Sequence, residues 1–124
     1  DNKVSVEIPV TLKNRTISEE ASTLLASLLE GVVANGSGSK AFIEGYRVGG
    51  KTGTAQKFEN GAIAQGKYVS SFLGFFPAND PQYLALVIVD EPQGAYYGSV
   101  VAAPAAAEIF RGIIQLKDIA PYTS

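Results

Sequence analysis

The chain has 124 residues, 46% of them hydrophobic, with a net charge of −2 and neither histidine nor cysteine. A chain of that size buries a core as one small domain or as a piece of a larger one. Lacking His and Cys, it excludes disulfides, thiol catalysis, a histidine triad and a soft metal site, so no metal or other cofactor is expected; its 10 basic residues form no stripe, so no nucleic-acid partner is expected either.

In chain order, Val4 to Leu12 is short, β-branched and weakly alternating, which predicts a strand or extended lead-in. A helix is predicted next, capped by Ser18 and closed by Gly36, with Glu19 and Glu20 complementing the dipole in its first turn. Ala21, Leu24, Leu25, Leu28 and Val32 recur at helical spacing as its apolar face. Gly36 to Ser39 reads as a flexible loop. Tyr46 to Thr54 reads as a glycine-heavy strand, Phe58 to Lys67 as a polar turn region, and Tyr68 to Phe76 as a strand stopped by Pro77. Ala78 to Pro81 is a turn.

Tyr83 to Val89 is a continuous apolar run, as expected of a strand buried on both faces. The connections between these strands hold no evident helix, which favours antiparallel pairing. Gly94 to Ser99 is a loop rich in Tyr and Gly. A last helix begins near Ala102, with Pro104 in its first turn and Ala106, Ile109, Phe110 and Ile113 as its buried stripe. No apolar run approaches the ~20 residues of a membrane span, and no signal peptide begins at Asp1. The fold class is α+β, an antiparallel sheet flanked by helices.

Two chemistries lay claim to Gly50-Lys51-Thr52-Gly53-Thr54-Ala55-Gln56. With Gly45 upstream, Gly45 to Thr52 fits G-x-x-x-x-G-K-[ST], the nucleotide-binding P-loop, and Asp90 ends an apolar strand where such proteins hold Mg²⁺. A P-loop needs a helix to start straight after Lys-Thr, because the helix N-terminus binds the phosphates. Here Gly53 follows at once and no amphipathic helix comes after it. The competing reading is Lys-Thr-Gly, one of three motifs of penicillin-binding serine enzymes with S-x-x-K and S-D-N.

The surroundings favour the second reading. Gly31 to Gly38, Gly45 to Lys57, Ser71-Phe72-Leu73-Gly74-Phe75-Phe76-Pro77, Val87 to Pro92 and Tyr96 to Pro104 closely resemble, in unbroken order, the class B penicillin-binding proteins, the peptidoglycan D,D-transpeptidases. The resemblance runs from about Ser18 to Phe110. It implies the C-terminal portion of the penicillin-binding transpeptidase or serine β-lactamase-like fold, with residues 1–124 forming a fragment completed by an upstream segment or a second chain.

The same resemblance implies a role for each motif residue. Lys51 would place a positive charge near the nucleophile and assist proton transfer. Thr52 would donate its hydroxyl to the substrate's terminal carboxylate. Gly53 would let substrate approach the backbone. Thr54 would contribute its backbone N–H to the oxyanion hole, and Tyr96 would border the cleft. Lys51 and Thr54 are thus the candidate catalytic residues, and Thr52, Gly53, Thr54 and Tyr96 the candidate substrate-binding residues. Arg47, Asp90 and Glu91 read as structural ion pairs or solvated ends, and Glu108 with Arg111 as a local helical pair.

Two motifs are missing. Ser37-Gly38-Ser39-Lys40 is a formal S-x-x-K, but it lies in a Gly/Ser loop close to Lys-Thr-Gly, whereas in the family the motif is far upstream at the start of a buried helix. No S-x-N occurs. The expectation is an incomplete transpeptidase, inactive alone and with one sheet face and the 18–35 helix undercovered, whose partners are D-alanyl-D-alanine stem peptides, β-lactam antibiotics and a second polypeptide carrying S-x-x-K and S-x-N. A serine β-lactamase or β-lactam sensor on the same fold is the near alternative. The resemblance further implies the extracytoplasmic face of the bacterial membrane, with an anchor outside this chain.

Overall fold

A computed structural model describes residues 9–122. It contains helix α1 (Glu19–Asn35), a 3-10 turn (Ser39–Ala41), strands β1 (Gly49–Glu59), β2 (Ala62–Phe76) and β3 (Tyr83–Asp90), a short helix α2 (Gly98–Val101) and helix α3 (Ala103–Lys117). Of the expected first strand, residues 4–8 lie outside the described residues, and Pro9 to Leu12 are exposed without strand pairing.

Helix α1 starts and stops where its capping residues dictate. Ser18 Oγ accepts from the Ala21 N–H at 3.1 Å. Gly36 donates its N–H to Val32 O at 3.1 Å. Gly36 is extended (φ −124°), so its value lies in close approach: a Cβ there would sit 2.9 Å from Val32 O. The apolar face differs from expectation. Val33 is buried, and Ala26, Leu29 and Glu30 on the same side are partly covered. Leu24, Leu25 and Leu28, on the expected face, are 61%, 50% and 61% exposed. The helix carries two apolar stripes, and periodicity alone does not say which one meets the sheet.

The sheet is antiparallel in the order β1-β2-β3. The expected polar turn over 58–67 is instead a long hairpin closed by Asn60-Gly61. Both residues adopt positive φ (52° and 80°), as the tight hairpin turn favoured by Asn-Gly requires. Phe58 pairs with Ile63, and the register then slips before Gln56 pairs with Tyr68. β3 pairs with β2 only from Val69 to Phe76, so the tip of the hairpin projects past β3.

β3 is not buried on both faces. Tyr83, Ala85, Val87 and Val89 are partly covered, while Leu84, Leu86 and Ile88 are 68%, 57% and 58% exposed. The covered face joins the core of Phe72, Phe76, Ala102, Ala103, Ala106, Ala107 and Phe110. Phe76 stacks on Tyr83 with centroids 5.4 Å apart and meets Phe110 at 5.5 Å. On the opposite face, Phe75 with Leu25 and Leu29 of α1 lines an open apolar groove of about 420 Å³.

The buried stripe of α3 is Ala103, Ala106, Ala107 and Phe110, whereas Ile109 is 46% exposed and Ile113 only partly covered. Small residues let the helix lie close to the sheet: a Cβ on Gly74 would meet the Phe110 ring at 3.0 Å. Contrary to expectation, Gly98–Lys117 is long and apolar enough by composition to span a membrane, with mean hydropathy 1.3. Its alanine stripe is packed on the sheet, so here it is a core helix.

Candidate active site

β1 is an edge strand, and it carries all four motif residues in succession. Pleating divides them between two faces. Thr52 and Thr54 stand opposite Phe72 and Ser70, while Lys51 and Gly53 stand opposite Leu73 and Ser71.

Lys51 is exposed, and its Nζ donates to Thr52 O at 2.9 Å. Thr52 Oγ1 lies 3.4 Å from Ser37 Oγ. Gly53 is confined by its neighbour, since a Cβ would sit 2.5 Å from Ser71 Oγ. Thr54 Oγ1 accepts the Gly98 N–H at 3.1 Å. The structure therefore brings Lys51, Thr52, Gly53 and Thr54 together along one strand and adds Ser37 beside Thr52.

Tyr96 lies in the loop before α2, close behind Thr54 through that Gly98 contact. Its ring stacks on Tyr68 with centroids 4.1 Å apart and planes 11° from parallel. Its hydroxyl donates to Tyr97 Oη at 3.2 Å. That hydrogen bond, with the charges of Tyr97 and Tyr68 adding to it, pushes the Tyr96 phenol up to about 12.

The charged residues read as structural do pair. Arg47 donates from Nε and Nη2 to the two carboxylate oxygens of Glu30, both at 2.7 Å. The bond to Arg47 holds the Glu30 carboxyl below its ordinary range. Lys57 Nζ reaches Asp90 at 3.0 Å and Glu91 at 2.7 Å, and these bonds, Glu91 first, raise the ammonium pKa. Lys67 pairs with Glu59 at 2.9 Å. Arg111 pairs with Glu108 one turn away.

This geometry removes the nucleotide-binding alternative. Lys51 and Thr52 lie within an extended strand, so no helix N-terminus stands behind Gly45 to Thr52 to receive phosphates. Asp90 is engaged by Lys57 across the strand ends.

Sequence reasoning missed Ser70 and Gly98. Ser70 is the buried polar side chain of the described residues, 0% exposed, and its Oγ donates to Tyr96 O. The available signal was a serine among the apolar residues Phe72, Gly74 and Phe76 on one face of β2. For Gly98 the signal was weaker: a glycine straight after two tyrosines.

Comparison with known proteins agrees with this arrangement. The family model described as the penicillin binding protein transpeptidase domain matches residues 4–111. Stage V sporulation protein D of Bacillus subtilis is 50% identical over 100 residues, 80% of this chain and 16% of that protein. A peptidoglycan D,D-transpeptidase FtsI homolog of Chlorokybus atmophyticus is 44% identical over 109 residues, 86% of this chain and 16% of its own length. The transpeptidase domain of penicillin-binding protein 3 from Burkholderia pseudomallei superposes with a TM-score of 0.79 at 33% identity, covering 90% of this chain and 34% of that one. The chain thus spans about a sixth of those curated relatives' length. With Lys51-Thr52-Gly53 on the edge strand of an antiparallel sheet backed by α3, and with most of its length matched, the chain belongs to the penicillin-binding protein transpeptidase domain family.

Proposed function

We propose that these residues form one wall of the active site of a serine D,D-transpeptidase that cross-links peptidoglycan stem peptides and is acylated by β-lactams. The observation that carries the reading is the placement of Lys51 to Thr54 on an edge strand whose outer side is unpaired among the described residues. An open edge lets an extended peptide add alongside it.

In this reading a serine outside these 124 residues attacks the penultimate D-alanine carbonyl of a D-alanyl-D-alanine terminus. The peptide bond breaks, the terminal D-alanine leaves with the proton, and an ester to the serine remains. An amine of a neighbouring stem peptide then attacks the ester, forms the cross-link and frees the serine. Lys51 supplies positive charge and assists proton transfer. Thr52 donates to the substrate carboxylate, Gly53 leaves the strand accessible, and the Thr54 N–H stabilises the developing oxyanion. Tyr96 borders the cleft. The S-x-x-K and S-x-N motifs come from another segment or polypeptide, and the site faces the extracytoplasmic side of a bacterial membrane.

The test is penicillin acylation of the full-length protein. Lys51→Ala should slow it by roughly 100-fold or more, and Thr52→Val by roughly 10-fold through loss of a hydrogen bond to a charged group. Unchanged rates in both variants would refute the assignment.

A further inference from the structure

We propose that Ser70 is a positioning residue for this active site, acting as a buried latch that holds the Tyr96–Gly98 loop against Thr54. The inference rests on the reading above.

Ser70 is fully buried on the face of β2 that otherwise carries Phe72, Gly74 and Phe76. A hydroxyl buried there is unfavourable unless it is paired, and its partner is the Tyr96 carbonyl. Ser70 stands on one rung of the sheet with Thr54 on β1. The Thr54 hydroxyl accepts the Gly98 N–H at 3.1 Å. Two hydroxyls of one rung therefore grip both ends of a three-residue stretch, one through a carbonyl and the other through an amide.

Two further features tighten the grip. Gly98 lies so near the strand backbones that a Cβ would be 2.4 Å from both Gly53 O and Ser71 O. The Tyr96 ring stacks on Tyr68, which precedes Ser70 by two residues and shares its face. With no solvent exposure, Ser70 cannot itself meet substrate. Its effect passes through the loop it anchors to Tyr96, and through Gly98 to Thr54, whose N–H is the proposed oxyanion donor. Donors aimed at an oxyanion lose effect steeply when they drift.

The experiment measures the second-order rate of acylation by benzylpenicillin in the full-length protein. Rates are expressed per acylatable site, well below each variant's melting temperature. Ser70→Ala should slow acylation roughly 10-fold, and Ser70→Thr, which keeps the hydroxyl, should recover most of that loss. A purely structural role would lower the melting temperature or the fraction of acylatable protein and leave the rate per site unchanged. A wild-type rate in Ser70→Ala, or Ser70→Thr as slow as Ser70→Ala, would overturn the proposal. Should Ser70→Ala fail to fold, Ser70→Cys fills the space with a weak donor; slowing is again expected, and a wild-type rate would overturn the latch. Lys51→Ala separates the two levels. If it acylates normally, the active-site assignment fails and the latch with it. If it is inert while Ser70→Ala is normal, the latch alone fails.

Discussion

Ser37 Oγ lies 3.4 Å from Thr52 Oγ1. The first hydroxyl of the formal S-x-x-K thus faces the hydroxyl of Lys-Thr-Gly. Ser37 lies in the turn ahead of the single 3-10 turn that holds Lys40, and not at the start of an α-helix such as carries the family's S-x-x-K. We propose that the nucleophile is a serine other than Ser37. In the full-length protein, Ser37→Ala should still take up one penicillin per molecule, as read by intact mass. Loss of the adduct in this variant, with the fold retained by circular dichroism, would reverse that conclusion.

Gly98 tolerates no side chain. A Cβ would collide with Gly53 O and Ser71 O, both backbone atoms that cannot swing aside. Gly98→Ala should cost about 1–3 kcal/mol, the usual range for overpacking. Urea unfolding of the full-length protein would show it as a lower midpoint. An unchanged midpoint would mean that the loop moves away without cost.

Glu30 and Arg47 tie α1 to the segment entering β1 through two hydrogen bonds of 2.7 Å. Arg47 lowers the Glu30 pKa from its ordinary 4.5. A depressed carboxyl contributes stability that is complete above its unfolded value and is lost as pH falls through the folded one. Glu30→Gln should therefore cost about 1 kcal/mol at neutral pH, modest because the pair is partly solvated. Its stability should also fall less steeply than wild type below about pH 4.5. Parallel pH profiles of the two proteins would contradict this.

Tyr96 should titrate late. Its phenol rises from 10.0 to about 12, chiefly because it donates to Tyr97. A raised folded value means the contribution to stability is present below the unfolded pKa and is lost as pH climbs through the folded one. Spectrophotometric titration of tyrosinate should show a late-ionising group that disappears in Tyr96→Phe. Tyr97→Phe should shift that group toward ordinary values, and a late step unaltered in both variants would assign it elsewhere.

That Lys51-Thr52-Gly53 lies on a strand was legible from its glycine-heavy, extended surroundings, although the strand runs from Gly49 to Glu59 and not from Tyr46 to Thr54. The ends of α1 were legible from Ser18 and Gly36 because caps act locally. What failed depended on tertiary context. Ala21, Leu24, Leu25, Leu28 and Val32 have helical spacing, yet the helix turns Ala26, Leu29 and Val33 inward; spacing gives a face without naming its partner. The run from Tyr83 to Val89 is apolar throughout, and Leu84, Leu86 and Ile88 are exposed on one sheet face, as expected of a fragment that leaves one face undercovered. Asn60-Gly61 is a strong local hairpin signal, but the polar residues over 58–67 have the composition of a turn region, which hides the two arms of a projecting ribbon. Ser70 could not be placed at all, since its role depends on Tyr96, 26 positions away.

The most direct test of the account is peptide mapping of the full-length protein after reaction with benzylpenicillin. The account predicts a single adduct on a serine outside these 124 residues, strongly slowed by Lys51→Ala. An adduct on Ser37 or any other residue of this chain, or no adduct at all on folded protein, would contradict it.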